Sequence, residues 1–287
     1  MLYLPNWMTK WRRTAQEAFQ QDNQMFLQLY NDVKAVAEDG TYTFGSFLAL
    51  HQSESGLSDQ EAAWLSGTMY AAGTETTSGV LSWFILAMVA YPTIQRKAQA
   101  ELDNVVGRSR MPAFSDLPNL PYIQAVVKEA LRWQPVSPFG NPHRLLEDDV
   151  YDGYFIPAGT VCIPNVWSMN RDPDVYGADA HEFNPERHLN NEFPDTHQDG
   201  HHSYGFGSRL CVGKYMANDT LFINIAFILW ALKLEPAKRA DGERVSPSVD
   251  AFVHTGLVMK PAPFDCEFSC RFHGAQNIIS QNRESIS

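Results

Sequence analysis

The stretch SYGFGSRLCVG, residues 203–213, is the most informative part of this sequence. It carries three glycines, one arginine and one cysteine within eleven residues. Because glycine tolerates left-handed backbone conformations, such a stretch can turn sharply and approach a flat ligand closely. A helical, largely apolar pattern begins at Lys214, so Cys211 is predicted to lie where a glycine-rich loop meets a helix N-terminus. The positive end of the helix dipole favours a thiolate there, which is the form of cysteine that binds metals.

A lone Gly-x-Cys-x-Gly is more often a tight turn around a buried, inert cysteine. The full spacing, however, resembles the cysteine-ligand loop of the cytochrome P-450 family, Phe-x-x-Gly-x-Arg-x-Cys-x-Gly with Ala four residues further on. Six residues match that pattern, with tyrosine in place of the phenylalanine: Tyr204, Gly207, Arg209, Cys211, Gly213 and Ala217. The resemblance implies that Cys211 is the axial thiolate of haem b, a ligand that favours O–O cleavage. The other residues that it places at the cofactor are Arg209, Gly205, Phe206, Gly207 and Gly213.

A second motif lies in the middle of a long helix predicted over residues 58–90, between a capping box and a proline. Residues 72–77 read AGTETT, and glycine and hydroxyl residues are poor helix formers. One reading is a close helix contact in which hydroxyls bond back to helix carbonyls. The stretch also resembles the family's oxygen-activating pattern. By that resemblance Glu75 and Thr76 relay protons to dioxygen while water is excluded, and Gly73 leaves room for the dioxygen.

A third motif joins a predicted helix to a later turn. Glu129 and Arg132 lie three residues apart on one helix face, and a surface ion pair there contributes about 0–1 kcal/mol. The surrounding KEALRWQP, residues 128–135, resembles the family's Glu-x-x-Arg helix, whose third partner here is Arg187 of a Pro-Glu-Arg motif. The resemblance implies a buried ion-pair network that braces the cysteine loop. His188 stands where an aromatic residue is usual.

His143 and Arg144 precede a hairpin that the pattern predicts over residues 151–164. In the family a basic residue here binds a haem propionate, which makes His143 the first choice and Arg144 the second. The alternative is a solvated basic pair before the acidic run at 147–149. Residues 252–257 resemble the turn that enters the substrate pocket, but the sequence does not identify a substrate.

Composition limits the other possibilities. The chain has 287 residues, of which 44% are apolar, and its net charge of −11 argues against a nucleic-acid partner. Its four cysteines are scattered and form no disulfide framework. Cys266, Cys270 and His273 do not have the spacing of a zinc site. Residues 190–202 are rich in histidine and acidic residues, and we interpret them as a solvated loop.

The resemblance covers nearly the whole chain but only the C-terminal part of the family. We therefore expect a cytochrome P-450-like fold, mainly α with a minor β component, with its N-terminal part missing. Residues 1–273 are predicted to be the C-terminal portion of a single haem-thiolate domain, and 274–287 a disordered tail. The chain shows no signal peptide and no apolar run of about 18 residues. The full-length parent is expected at the cytosolic face of the endoplasmic reticulum membrane, held by an anchor absent here, and Met1 can be an internal methionine.

The sequence looks similar to fungal microsomal members of the family. This resemblance implies a monooxygenase. Such an enzyme inserts one oxygen atom of O₂ into a small apolar substrate and takes electrons from an NADPH-cytochrome reductase. One alternative is an inactive fragment that binds haem weakly or not at all. The other is a haem-thiolate isomerase or dehydratase, a class that tends to lose the acid–alcohol pair that Glu75 and Thr76 retain.

Overall fold

The computed structural model describes residues 9–37, 40, 42–190, 196, 199–239, 242–254, 256 and 258–284. The chain divides into two compact units, residues 1–74 and residues 75–287, where the sequence predicts a single domain over 1–273. Helices dominate both units, as predicted. They are α1 (Lys10–Ala35), α2 (Phe44–Leu50), α3 (Gln52–Ser55), α4 (Asp59–Ala90), α5 (Pro92–Val105), α6 (Pro121–Trp133), α7 (Val166–Met169), α8 (Pro173–Tyr176), α9 (Arg187–Asn190), α10 (Lys214–Ala231) and α11 (Ala275–Glu284).

The strands are short, and within the described residues they pair as two-stranded antiparallel sheets, β1 with β4, β2 with β3, β5 with β8 and β6 with β7. They are β1 (His143–Arg144), β2 (Asp149–Tyr151), β3 (Tyr154–Ile156), β4 (Val161–Cys162), β5 (Leu232–Pro236), β6 (Phe252–His254), β7 (Met259–Pro261) and β8 (Cys266–Cys270).

The hairpin predicted over 151–164 is wrong in its pairing. β3 turns back onto β2 through Asp152 and Gly153, whose φ angles are 49° and 80°. Two consecutive positive φ angles are typical of the two-residue hairpin turn that Asp-Gly favours. β4 instead pairs with β1, with His143 opposite Cys162.

The first unit holds α1 to α3 and the beginning of α4. A small core forms around Tyr30, Leu48, Ala62 and Ala63. The predicted capping box at the start of α4 is present, since the main-chain N–H of Ser58 donates to Oε2 of Glu61 at 2.9 Å and the Glu61 N–H donates to Oγ of Ser58 at 3.3 Å.

The second unit contains the main core, built from the end of α4 with α5, α6 and α10. α10 is apolar around most of its circumference, and such a helix must be buried on most sides. Ile225, Leu229 and Trp230 are accordingly inaccessible to solvent. Trp83 of α4 packs edge-on against Trp133 of α6, with 6.1 Å between ring centroids.

The C-terminal segment differs from the prediction of a disordered tail, because it forms α11. Ala275 is fully buried, and Ile278, three residues later on the same helix face, packs against the main core. These two apolar contacts stabilise a helix whose remaining composition is polar.

No single helix of the described residues is long and apolar enough to cross a bilayer. α4 and α5 meet the length and composition criteria only as a pair, and they meet at an angle of 105°.

Candidate active site

The backbone of the cysteine loop, residues 203–213, turns sharply, as its glycines predict. Gly205 and Gly207 adopt φ angles of 82° and 54°, in the left-handed region that favours glycine. A 3₁₀ turn follows at Gly207–Arg209. The main-chain N–H of Cys211 then donates to the carbonyl of Tyr204 at 2.8 Å and closes the loop. Cys211 is thereby fixed three residues before the start of α10.

The side chain of Cys211 is exposed, so a buried, inert cysteine does not describe it. Its Sγ lies 4.0 Å from the point that a Cβ on Gly213 would occupy, so glycine leaves one side of the sulfur open. The Arg209 side chain is also exposed, and its guanidinium forms no hydrogen bond or ion pair with the described residues. Within the described chain no group of three or more histidine, cysteine or acidic side chains could hold a metal ion. Cys211 carries the one cysteine sulfur of residues 203–213.

Aromatic side chains of the loop tie it to its surroundings. The Tyr204 hydroxyl donates to Oδ1 of Asn218 on α10 at 2.6 Å. Burial raises the pKa of Tyr204, and the nearby Cys211 raises it further. Phe206 stacks against His202, with 5.5 Å between ring centroids. These contacts fix the loop backbone while leaving Cys211 accessible.

The predicted ion-pair network is present and buried. Arg132 forms a two-pronged contact with Glu129, at 2.7 Å from Nε to Oε2 and 2.8 Å from Nη2 to Oε1, and neither side chain is accessible to solvent. Nε of Arg187 approaches Oε1 of Glu129 at 3.2 Å. A weak surface pair is therefore the wrong description. Arg132 also donates to the carbonyls of Ala180 and Glu182, which joins α6 to the segment before α9.

His188 is a fourth member of this network that the sequence reading missed. Its Nε2 lies 2.9 Å from Oε2 of Glu129, and both side chains are buried. Burial alone would raise the pKa of Glu129, but the contacts with Arg132 and His188 lower it to about 2. His188 follows Pro-Glu-Arg, where an aromatic residue is usual. This substitution could have indicated the contact, since a polar ring in a buried position needs a hydrogen-bond partner.

Glu75 lies on α4 within the second unit, with 46% of its side chain exposed. Nζ of Lys260 on β7 is 3.6 Å from its Oε1. Thr76 is half-buried. The back-bonding alternative describes the neighbouring hydroxyls, because the Thr74 side chain donates to the Tyr70 carbonyl at 2.8 Å.

Gly73 of this motif and Gly79, two residues after it, differ in their surroundings. A Cβ on Gly79 would lie 3.0 Å from Cγ1 of Val136 and 3.2 Å from Cγ1 of Val258, so Gly79 serves close packing. A Cβ on Gly73 would meet no atom within 4 Å. Packing therefore explains the glycine at 79 and leaves the glycine at 73 unexplained.

His143 and Arg144 occupy β1, and both side chains are exposed. Neither side chain forms a hydrogen bond or ion pair with another described residue, so the solvated basic pair and the propionate ligand both fit their positions.

The histidine-rich segment is only partly described. Glu192, Asp195 and His197 lie outside the described residues, as do Thr255 and Leu257 of the predicted pocket turn. His201 is buried, contrary to the solvated loop expected there, and its Nδ1 accepts the Ser203 N–H at 3.1 Å. Burial lowers its pKa well below 6.5.

The family model for cytochrome P-450 matches residues 1–268 of the chain. The chain belongs to the cytochrome P-450 family.

Fungal relatives extend this result. A cytochrome P-450 monooxygenase of Armillaria gallica is 51% identical over 294 residues, covering 100% of the chain and 56% of the relative. Another, from Postia placenta, is 48% identical over 98% of the chain and 54% of its own length. The chain thus spans about half the length of these relatives.

Solved structures give the same fold. A zebrafish cytochrome P-450 determined with progesterone superimposes with a TM-score of 0.72 at 28% identity, over 86% of this chain and 57% of that one. The expectation of a mainly α, P-450-like fold covering part of the protein is confirmed.

The family implies a haem cofactor, and the residues present fit one. Cys211 offers an accessible sulfur, a soft donor suited to iron. Arg209 precedes Cys211 by two residues, and its guanidinium has no hydrogen-bond or ion-pair partner among the described residues. The absence of a Cβ on Gly213 leaves one side of the Cys211 sulfur open.

Proposed function

We propose that residues 1–273 form the C-terminal portion of a single haem-thiolate monooxygenase domain. The enzyme would insert one oxygen atom of O₂ into a small apolar substrate and receive electrons from an NADPH-cytochrome reductase. The accessible Cys211 thiol, on a glycine loop at the head of a buried helix, is the observation that carries this proposal. The names of the fungal relatives support it. By the same likeness the whole protein acts at the cytosolic face of the endoplasmic reticulum membrane.

Cys211 would hold the iron of haem b as a thiolate, and Arg209 would pair with a propionate. His143 and Arg144 would serve the propionates from β1, in keeping with their free, exposed side chains. When bound, haem supplies the capacity to cleave the O–O bond, which a thiolate ligand favours. The left-handed Gly205 and Gly207, with Phe206 between them, would let the loop backbone lie close to the porphyrin.

Glu75 and Thr76 would supply protons from α4. Glu75 remains half exposed and can exchange protons with solvent, whereas Thr76 is half-buried and can pass a proton inward. Gly73 has open space where a side chain would stand, which would leave room for dioxygen. The presence of both Glu75 and Thr76 favours oxygen chemistry over the isomerase or dehydratase alternative.

The ligand assignment is tested by titrating the purified 287-residue chain with haem and recording the carbon monoxide difference spectrum after reduction. We expect weak binding with a thiolate-type Soret band, and we expect Cys211→Ala to abolish that band. Cys162→Ala and Cys270→Ala, which alter exposed cysteines outside the loop, should leave it unchanged. A band that survives Cys211→Ala would refute the assignment.

A second candidate is a chain that does not retain haem, and the coverage of about half the relatives' length favours it. The same titration separates the two. The absence of any band in the unsubstituted chain, with a folded far-ultraviolet circular dichroism spectrum, would support the non-binding chain.

A further inference from the structure

Asn170 stands out among the buried polar residues that the motifs do not include. It follows α7 directly and is completely inaccessible to solvent. Its Nδ2 donates to the main-chain carbonyl of Arg132 at 3.2 Å and to Oγ of Ser203 at 3.0 Å. Its Oδ1 accepts the main-chain N–H of His202 at 2.8 Å. The amide thus uses both of its donor hydrogens and one acceptor position on two separate parts of the chain.

The backbone around Asn170 strengthens the same connection. Its carbonyl accepts Nη1 of Arg132 at 2.5 Å, so the guanidinium that binds Glu129 also holds Asn170. Ser203, the first residue of the cysteine loop, donates its hydroxyl to the carbonyl of Leu131 at 2.6 Å. The end of α6 and the beginning of the cysteine loop are therefore joined through one buried amide and one hydroxyl.

We propose that Asn170 is the positioning residue that transmits the placement of the ion-pair network to the cysteine loop. The loop begins at Ser203. The N–H of Gly205 donates to the carbonyl of His202, just before the loop, and the N–H of Cys211 donates to the carbonyl of Tyr204 near its start. Holding the His202 N–H and the Ser203 hydroxyl therefore fixes the end of the loop from which Cys211 is placed. The inference rests on the proposed function only in taking Cys211 as the ligand.

Local loosening of the cysteine loop can be distinguished from general destabilisation of the second unit. If Asn170 only contributes to the core, its removal should weaken the whole second unit evenly. If it positions the loop, its removal should loosen residues 203–213 while the core of α10 stays protected, because hydrogen exchange reports local opening separately from global unfolding.

Gln95 provides a matched control. It is also buried, and its amide makes four hydrogen bonds. Its Nε2 donates to the carbonyls of Met88 and Leu234, and its Oε1 accepts from the N–H of Leu234 and from Nε2 of Gln99. These bonds join α4 and α5 to β5 rather than to the cysteine loop. Gln95→Ala therefore removes four side-chain hydrogen bonds, one more than Asn170→Ala, from a different part of the same unit.

The test is amide hydrogen exchange of the 287-residue chain. For Asn170→Ala we expect exchange at Gly205 and Cys211 to accelerate by roughly tenfold more than exchange at Ile225 in α10. For Gln95→Ala we expect no preference for the loop.

Ser203→Ala offers a smaller truncation of the same connection if Asn170→Ala does not fold, and it should give the same loop-specific acceleration. Equal acceleration at all sites in either loop variant, or none at Gly205 and Cys211, would overturn the inference. The exchange experiment uses no haem. Its result therefore does not depend on whether the chain binds haem in the titration.

Discussion

His188 donates Nε2–H to Oε2 of Glu129 across 2.9 Å inside the second unit. The pKa of Glu129 is about 2, so this carboxylate is ionised and can only accept, and the imidazole nitrogen that faces it must carry the proton. Burial lowers the pKa of His188 below its ordinary 6.5, Arg132 and Lys128 lower it further, and Glu129 opposes them. His188 is therefore a neutral donor to a carboxylate that Arg132 and Arg187 also contact.

Because His188 is buried and neutral, the unfolding free energy should fall as the pH is lowered. Because the folded pKa of His188 lies below 6.5, the unfolded chain binds more protons as the pH falls through that value. The stabilisation is complete above about pH 7 and is lost as the pH falls below about 6.5, and buried His201 acts in the same direction. We expect His188→Phe to flatten the pH dependence of the unfolding free energy by up to about 1.4 kcal/mol per pH unit.

Urea unfolding between about pH 5 and pH 7.5 measures this slope. His181→Phe changes a largely exposed histidine and should leave the slope as it is. A slope in His188→Phe equal to that of the unsubstituted chain would contradict the buried neutral donor.

Breaking the buried ion-pair network should lower the unfolding free energy far more than breaking a surface pair. Arg132→Met would leave the Glu129 carboxylate buried with less compensation, and we expect a loss of about 3–5 kcal/mol in unfolding free energy. Lys97→Ala breaks the pair with Glu186, in which both side chains are about half exposed, and should cost less than about 1 kcal/mol. Urea unfolding of both variants tests this, and equal losses would show that burial of the network contributes little.

The parts of the site that could be predicted depend on local chemistry. The glycines at 205 and 207 allow the left-handed turns that the cysteine loop contains, and Ser58 and Glu61 are close enough in sequence to specify the start of α4. The three motif residues of the ion-pair network were found because their spacing resembles a known pattern, although Glu129 and Arg187 lie 58 positions apart in the sequence.

The parts that were missed depend on pairings between distant residues that no local rule specifies. β3 had two possible partners, and the Asp-Gly turn selected β2. The buried positions of His201 and Asn170 follow from the chain that covers them, which the polar composition of their own segments does not reveal. α11 forms because Ala275 and Ile278 find an apolar surface, and a composition rich in Gln, Asn and Ser conceals that contact.

The proton-relay role predicts a separation between haem binding and product formation. Thr76→Ala should keep the thiolate-type spectrum, because the side chain lies on α4 and is not in the cysteine loop. In an enzyme that turns over with its reductase, we expect the ratio of product to NADPH consumed to fall several-fold. Thr74→Ala is the control, since the Thr74 hydroxyl is bonded back to Tyr70. Unchanged coupling in Thr76→Ala would count against the relay.

Gly73 and Gly79 of α4 predict opposite responses to the same substitution. Glycine within a helix is less stable than alanine by roughly 0.5–1 kcal/mol, and a Cβ at Gly73 would meet no atom within 4 Å. Gly73→Ala should therefore raise the unfolding free energy by about that amount. Gly79→Ala would bring a Cβ to 3.0 Å from Val136, and overpacking of this kind typically costs about 1–3 kcal/mol. Urea unfolding compares the two directly. A destabilising Gly73→Ala would count against open space beside Gly73, and so against the room proposed there for dioxygen.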